Sequence, residues 1–333
     1  MLCRVFRRRF PDCRIDYLVK AGFAPLLRPN PHISRVIEFP DHAGAGDLLA
    51  FRRRVGSERY DLIIDIHNNI RSRAMTAGVA PTVRVNKRLF ARFILVKTGR
   101  DLYDRFGGSP SVAERYLETV ERFGVTNDGK GTEIFAPDGS AGRIDMLLAT
   151  AGVIPGTRLV GLCPSARHAT KMWVKEGFAS VAATLARDNG CGILLFGARE
   201  EFPRCEEIAS LIRGDAPGAT VVNLAGRISL DDYGTAMDRC AVIICNDTGL
   251  MHIAAARKRP VVALFGSTVR QFGFFPYGTA GTVLENAGLG CRPCTHVGRD
   301  VCPQGHFRCM KEIGVADVLG AAQQYLRPTS AHG

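Results

Sequence analysis

Short apolar runs and helical spacings alternate regularly along the second half of the chain. Residues 159–163, 192–196, 241–245 and 261–265 are apolar runs of five residues, and 220–223 is a shorter one. Runs of this length, bounded by turn residues, predict strands buried on both faces, as in a parallel sheet. Between them the spacing predicts helices over 178–187, from about 202 to 212, from Ser229 to Met237, and from Ile253 onward. Strictly alternating strands and helices predict an α/β, doubly wound sheet.

The first half is less regular. Strands are predicted over 14–19, 35–39 and 60–66, and helices over 1–10, 46–55 and 112–123, with a short one at 23–27. The stretches 84–93 and 97–106 are basic and aromatic with no clean period. They read as loop and helix facing a cleft to which Lys87, Arg88, Arg92 and Lys97 give positive character, or as an unrelated solvated face. Turn signals at Asn127-Asp128-Gly129, Pro137-Asp138-Gly139 and Pro155-Gly156 mark the domain boundary, with one helix over 141–151 between them. The expected division is a first domain over 1–150 and a second over 156–314, followed by a helix and tail over 315–333.

Composition narrows the class. The 333 residues suffice for two domains with cores, and 46% apolar content describes a globular chain. No apolar run approaches the roughly 20 residues of a spanning helix. Lys and Arg number 44 against 32 Asp and Glu, a net charge of +12 that favours an anionic partner. The charge is scattered, without basic tracts interleaved with aromatics, which disfavours nucleic acid as a partner. Seven of the eleven cysteines are dispersed, and with no signal peptide they point to a reducing cytosol.

Polar residues with ligand chemistry gather just past the predicted strand ends: Ser165, Lys171, Glu200 and Glu201, Asp247, Thr248, Gly249 and His252. Asp247 or Thr248 can cap the helix that follows, and Gly249 permits a tight turn beside a ligand. Unpaired amides at a helix start suit a phosphate. A Lys, a helix amino end and a carboxylate on one rim describe a nucleotide-diphosphate site. Neither a Gly-x-Gly-x-x-Gly after a first strand nor a phosphate-loop Gly-Lys-Ser/Thr motif is present, which argues against dinucleotide redox and P-loop chemistry. His67, Asn68 and Arg71 follow the 60–66 strand and are acceptor-side candidates; a capping Asn pair and a solvated Arg are the plainer alternative. Cys291, Cys294, Cys302 and Cys309, with His296 and His306 nearby, match a structural zinc site in ligand number or, alternatively, pack a loop as reduced thiols.

Several segments together resemble glycosyltransferase family 9, the heptosyltransferases of lipopolysaccharide core assembly. They are Phe10-Pro11-Asp12 with Ile15-Asp16-Tyr17-Leu18-Val19, Tyr60-Asp61-Leu62-Ile63-Ile64-Asp65, Lys171-Met172-Trp173, Phe196-Gly197-Ala198, Leu224-Ala225-Gly226 with Ser229-Leu230, and Asp247-Thr248-Gly249-Leu250-Met251-His252 with Ala254-Ala255-Ala256. The resemblance implies a GT-B fold of two Rossmann-like domains facing a cleft, with the C-terminal tail crossing back to the first domain. It implies inverting, metal-independent transfer of a heptose from ADP-heptose to a lipid-linked lipopolysaccharide inner-core acceptor, in the cytoplasm at the inner membrane surface. Carried over by position, Lys171 and the Thr248 and Gly249 amides would neutralise the diphosphate, and Ser165 would add a hydrogen bond. Glu201 would hold the ribose, with Glu200 as the alternative; Asp247 would bind sugar hydroxyls, and His252 would stabilise the site.

In one respect the sequence departs from the family pattern. Family members begin with a strand and a Gly-Asp turn whose Asp is the presumed base, and no residue here matches it. The catalytic base is therefore unassigned, and the first sheet is expected to lack a central strand, leaving its neighbours unpaired. A start lying upstream of Met1 is the expectation; a nucleotide-sugar-binding homologue without catalysis is the rival. A basic nucleic-acid-binding protein with a zinc module is a third reading, which the scattered charge opposes.

Overall fold

The computed structural model describes residues 1–327. The tail at 328–333 lies outside the described residues. In the second half, β5 (Leu159–Cys163), β6 (Gly192–Leu195), β7 (Val221–Asn223), β8 (Cys240–Asn246), β9 (Val261–Phe265) and β10 (Gly281–Glu285) form one parallel sheet in the order β10-β9-β8-β5-β6-β7. The strand β10 was not foreseen; its pattern is only half buried, as suits an edge.

Alternate residues of each strand serve opposite faces, and both faces are covered, which is why the runs read as continuously apolar. Val160, Leu162, Ile193, Leu195, Val242 and Ile244 pack with α7 (Lys175–Asn189) and α8 (Phe202–Asp215). Leu194, Phe196, Ile243, Cys245, Val261 and Ala263 pack instead with α6 (Ser140–Thr150), α9 (Tyr233–Asp238) and α10 (Gly249–Ala256).

Two expected boundaries shift. Helix α6 was placed with the first domain, but Ile144 and Leu148 are buried in the second sheet's core and Ser140 donates to Asp232 while sharing a hydrogen bond with the Thr235 hydroxyl. After the short α11 (Arg308–Lys311) comes α12 (Val315–Gln324), which was expected to cross back to the first domain. Through Arg327 the chain instead stays on the second sheet: Val318, Ala321, Ala322 and Leu326 are buried in its core, and Arg158 donates to the Leu326 carbonyl at 2.8 Å. The apolar stripe of α12 is satisfied there.

The first half holds α1 (Leu2–Arg9), β1 (Asp16–Lys20), β2 (Arg35–Phe39), α2 (Ala45–Ser57), β3 (Ile63–Asp65), α3 (Ile70–Thr76), β4 (Thr82–Arg84), α4 (Leu89–Thr98) and α5 (Val112–Glu118). Its strands make two separate parallel pairs, β1 with β2 and β3 with β4, rather than one doubly wound sheet. Polar contacts fill in for strand pairing. Asp16 accepts hydrogen bonds from Tyr60 (2.7 Å), Arg14 (2.8 Å) and Arg35 (2.6 Å), and Glu58 closes the network. The predicted helix over 112–123 breaks after α5, which starts at a Ser111–Glu114 capping box and gives way to a 3-10 turn ending at Gly124.

The halves meet through specific contacts. Ala91 and Leu95 of α4 pack with Tyr103 and, from the second half, Phe272. Val112 donates to the Gly273 carbonyl, and Lys258 donates to the carbonyls of Lys130 and Thr132.

Candidate functional site

From β5 the sheet grows one way through β6 and β7 and the other way through β8, β9 and β10, so the winding reverses between β5 and β8. A crevice opens beyond the carboxyl ends of two such strands, where α/β folds place ligands. Ser165 follows β5 and Asp247 follows β8, one on each side of that crevice.

Asp247 is the hub. Its Oδ2 lies 2.7 Å from Lys171 Nζ and accepts a hydrogen bond of 2.7 Å from Thr268 Oγ1. Lys171 Nζ also stands over the Phe274 ring, 5.8 Å from its centroid. The buried Asn246 fixes the geometry: its Oδ1 accepts from the Trp173 amide at 3.0 Å, tying the Lys171 segment to the end of β8. Arg292 secures the other side, donating to the Gly266 and Thr268 carbonyls at 2.5 and 2.9 Å. Thr268, Asn246 and Arg292 were not foreseen as site residues. Thr268 could have been, because it too lies just past a strand's carboxyl end.

Thr248 occupies the N-cap position of α10, yet neither it nor Asp247 caps the helix: among the described residues no side chain bonds the first-turn amides. Those donors have no partner within the helix, which is the condition for an anion site. The conformational role expected of Gly249 is corrected: it is absent from the positive-φ residues, and an added Cβ would meet nothing within 4 Å. Its contribution is open space beside the amides. Ser165 keeps a buried hydroxyl with no partner among the described residues, an unmet polar demand at the same rim.

His252 is accessible at its surface but crowded by protein, so the charged imidazolium is poorly hydrated. This desolvation lowers its pKa; Asp247 pulls it up and Lys171 pushes it down. Glu201 is half buried and accepts from the Ala198 amide at 2.7 Å, and burial raises its pKa. Glu200 is exposed. Gly197 leaves the room that Glu201 fills: a Cβ there would lie 3.0 Å from Glu201 Oε2.

In the first half the structure separates the acceptor-side candidates. Asn68 is committed to the fold, with a φ of 40°, donating to the Val85 carbonyl at 2.8 Å and accepting from Arg73 at 2.8 Å. The next residue, Asn69, caps α3. His67 and Arg71 are exposed. Arg88 does not supply cleft charge as expected: it is buried and donates to both oxygens of Glu118 at 2.9 and 2.8 Å.

The remaining cations form a continuous lane. Desolvation, then Lys87 and Lys20, lower the pKa of His67 against the opposing charge of Asp65. Lys87 is in turn lowered by desolvation, then by Arg92 and Arg73, again against Asp65. Beyond the boundary between the halves, His296 is lowered by desolvation, then by Arg92 and Lys171. Electrostatic neighbours therefore run from Lys20 through His67, Lys87, Arg92 and His296 to Lys171. In the sequence His296 stood out only beside the cysteine cluster, and its link to Arg92, 204 residues away, was not foreseen.

The four cysteines are electrostatic neighbours: Cys309 feels Cys294, Cys302 and Cys291. Among the described residues no three His, Cys, Asp or Glu side chains stand close enough to hold a metal ion. Cys309 is carried into the core by α11 beside Met310, while Cys291 and Cys302 remain half exposed and Cys291 Sγ faces His306 Nε2 at 3.8 Å. Burial pushes the Cys309 thiol up to about 11 and raises that of Cys294. All eleven cysteines are free.

Comparison with known proteins follows this geometry. The model of glycosyltransferase family 9 (heptosyltransferase) matches residues 48–301. The lipooligosaccharide heptosyltransferase 2 of Haemophilus influenzae is 28% identical over 274 residues, covering 79% of this chain and 78% of that protein. Among solved structures, a family 9 glycosyltransferase from Veillonella parvula superposes with a TM-score of 0.75 at 20% identity, covering 97% of this chain and 91% of that one. The E. coli ADP-heptose lipopolysaccharide heptosyltransferase II gives 0.71 at 24% identity, covering 98% and 93%. The fold is thus α/β of the GT-B type. With three-quarters of its length matched by the family model, the chain is a glycosyltransferase and belongs to glycosyltransferase family 9, the heptosyltransferase family.

Proposed function

We propose that this protein transfers a heptose from ADP-heptose to a lipid-linked lipopolysaccharide inner-core acceptor, with inversion and without a catalytic metal, at the cytoplasmic face of the membrane. The observation that carries this reading is the Lys171–Asp247 pair beside the uncapped amides of α10 at the sheet's switch point. In departure of the sugar, negative charge grows on the ADP diphosphate. Fixed amide dipoles and the Lys171 ammonium meet that charge without reorganising, which is how such sites lower a barrier. Lys171 is already 2.7 Å from Asp247, so it is held in place before the donor arrives. Ser165 adds a phosphate hydrogen bond, Glu201 (or Glu200) holds the ribose, and Asp247 meets sugar hydroxyls. His252 serves as a hydrogen-bonding group.

The basic lane from Lys20 to Lys171 suits an acceptor carrying phosphates. No general base is assigned among the described residues. Incubation with ADP-heptose and a truncated core acceptor, read by mass spectrometry, tests the reading: a heptose-extended product is expected, released with ADP and without added metal. Failure to bind ADP-heptose ends it. Donor binding without transfer fits the nucleotide-sugar-binding alternative instead, and the divided first sheet is the observation on that side.

A further inference from the structure

Helix α4 is apolar on two faces. Its inner stripe, Ala91 and Leu95, is buried against Tyr103 and Phe272 at the junction of the halves. Its outer stripe faces water: Leu89 is 56% exposed, and Phe90 and Phe93 are each 58% exposed. Phe106, 43% exposed, sits edge-on to Phe90 with ring centroids 5.6 Å apart. Single exposed apolar residues need no explanation, but a joined aromatic patch marks an interaction surface.

The border of the patch identifies what covers it. Lys97, Arg100 and Arg105 are exposed at its edge. Of the two nearby acids, Asp101 is engaged by Gln271 Nε2 at 2.9 Å, and Asp104 is exposed. Two copies meeting through this face would oppose cation to cation, which disfavours a dimer. A bilayer with anionic headgroups satisfies both parts: phenyl rings enter the headgroup–acyl boundary, where they need no hydrogen bond, and the cations lie among phosphates. The same helix carries Arg92 on its cleft side, within electrostatic reach of Lys87 and His296. An acceptor anchored in that bilayer would enter the basic lane directly; this step rests on the proposed lipid-linked acceptor.

We propose that the outward face of α4, with Phe90, Phe93 and the adjoining Phe106 bordered by Lys97, Arg100 and Arg105, seats the protein on an anionic bilayer surface.

The test uses the full chain and vesicles of phosphatidylethanolamine with or without phosphatidylglycerol. Wild-type protein is expected to co-sediment with the anionic vesicles and to be released by salt. Phe90→Ser/Phe93→Ser is expected to weaken binding at least tenfold, and Arg100→Glu/Arg105→Glu several-fold. Transfer to a deacylated, soluble acceptor should be unchanged in the Phe variant, while transfer to a vesicle-embedded acceptor falls. Phe93→Trp provides an arm that preserves the apolar face: its fluorescence should shift to the blue on anionic vesicles, against the buried background of Trp173. Wild-type protein that ignores anionic vesicles overturns the proposal. So does a Phe93→Trp emission that does not move, or a wild-type dimer that Phe90→Ser/Phe93→Ser turns into a monomer. Failure of the transferase reading would show separately, as no transfer by wild type to the soluble acceptor, with vesicle binding intact.

Discussion

The two halves present ligand-bearing loops at strand ends, but they stabilise those loops differently. In the second half six strands share one ladder, and strands such as β5 and β9 are buried at every position. In the first half the strands pair two by two and are only partly buried, and charged networks such as Asp16–Arg35–Glu58 and Arg4–Asp128 tie the pieces together. The contrast teaches that the proposed donor rim is rigid before any ligand binds, whereas the proposed acceptor rim depends on long side chains that can rearrange.

If the donor rim is preorganised, its central cation should be worth most. Lys171→Met is predicted to lower kcat/KM about 10²- to 10³-fold, the range seen when one preorganised charge-stabilising donor is lost. Thr268 still bonds Asp247 in the variant, but the buried carboxylate loses its cation, so the melting temperature should fall by a few degrees while the kinetic loss stays far larger. Steady-state kinetics beside a thermal melt decide it. A loss under threefold would deny Lys171 its role and make the rigid rim irrelevant to catalysis.

Core truncations probe the same contrast through stability. Leu162→Ala, in the middle of β5, leaves a cavity that neighbours locked on both faces cannot fill, and should cost about 4 kcal/mol. Ile37→Ala, in β2, lies in a small cluster with Phe39, Phe51 and Met75 whose partly buried margin of Ala43, Leu48 and Val55 can close in, and should cost about 2 kcal/mol. Each half's own unfolding transition should be followed, since two domains need not melt together. Equal losses would erase the distinction between the halves.

Arg4 tests the polar side of the comparison. It donates to Asp128 at 2.8 and 2.9 Å and to the Gly131 carbonyl at 2.8 Å, and Asp128 is buried. The Arg4 hydrogen bonds hold the Asp128 carboxyl well below the usual carboxylate range. Arg4→Met is predicted to cost about 2 kcal/mol at neutral pH, less than a fully buried pair because Arg4 is partly exposed. A depressed carboxylate contributes above its unfolded pKa of about 3.9 and loses that contribution as pH falls toward the lower folded value. The gap between wild type and variant should therefore be full at pH 7 and narrow below about pH 4. Melts at descending pH that show a constant gap would mean the ion pair is not what stabilises this corner.

The same contrast governs what could be read from the sequence. The second half was legible because strands covered on both faces must be continuously apolar, so 159–163 and 261–265 were placed to the residue. The rim residues Ser165, Lys171 and Asp247 were legible because strand ends dictate where loops fall. In the first half the 60–66 run shrank to three paired residues, and Arg88, expected in the cleft, turned inward to Glu118. Periodicity carries no information about which distant acid a basic side chain will meet. The proximity of Arg92 to His296 depends on how the halves dock, which local pattern does not encode. The cysteine spacing gave a ligand count but not the burial, since α11 carries Cys309 into the core while Cys291 and Cys302 stay half exposed.

The smallest expected effect reads the donor rim most directly. His252 takes a lowered pKa from desolvation, raised in part by Asp247 and lowered further by Lys171. Its imidazole should titrate below the free value of about 6.5 by NMR. A lowered histidine pKa means the unfolded chain binds the proton more readily, so this group costs stability as pH falls through its unfolded value. The two neighbours act with opposite sign, which makes the test strict. Lys171→Met should move the midpoint up, and Asp247→Asn should move it down. Either shift in the wrong direction would mean that His252, Lys171 and Asp247 do not share one rim, and the argued donor site would lose its geometry.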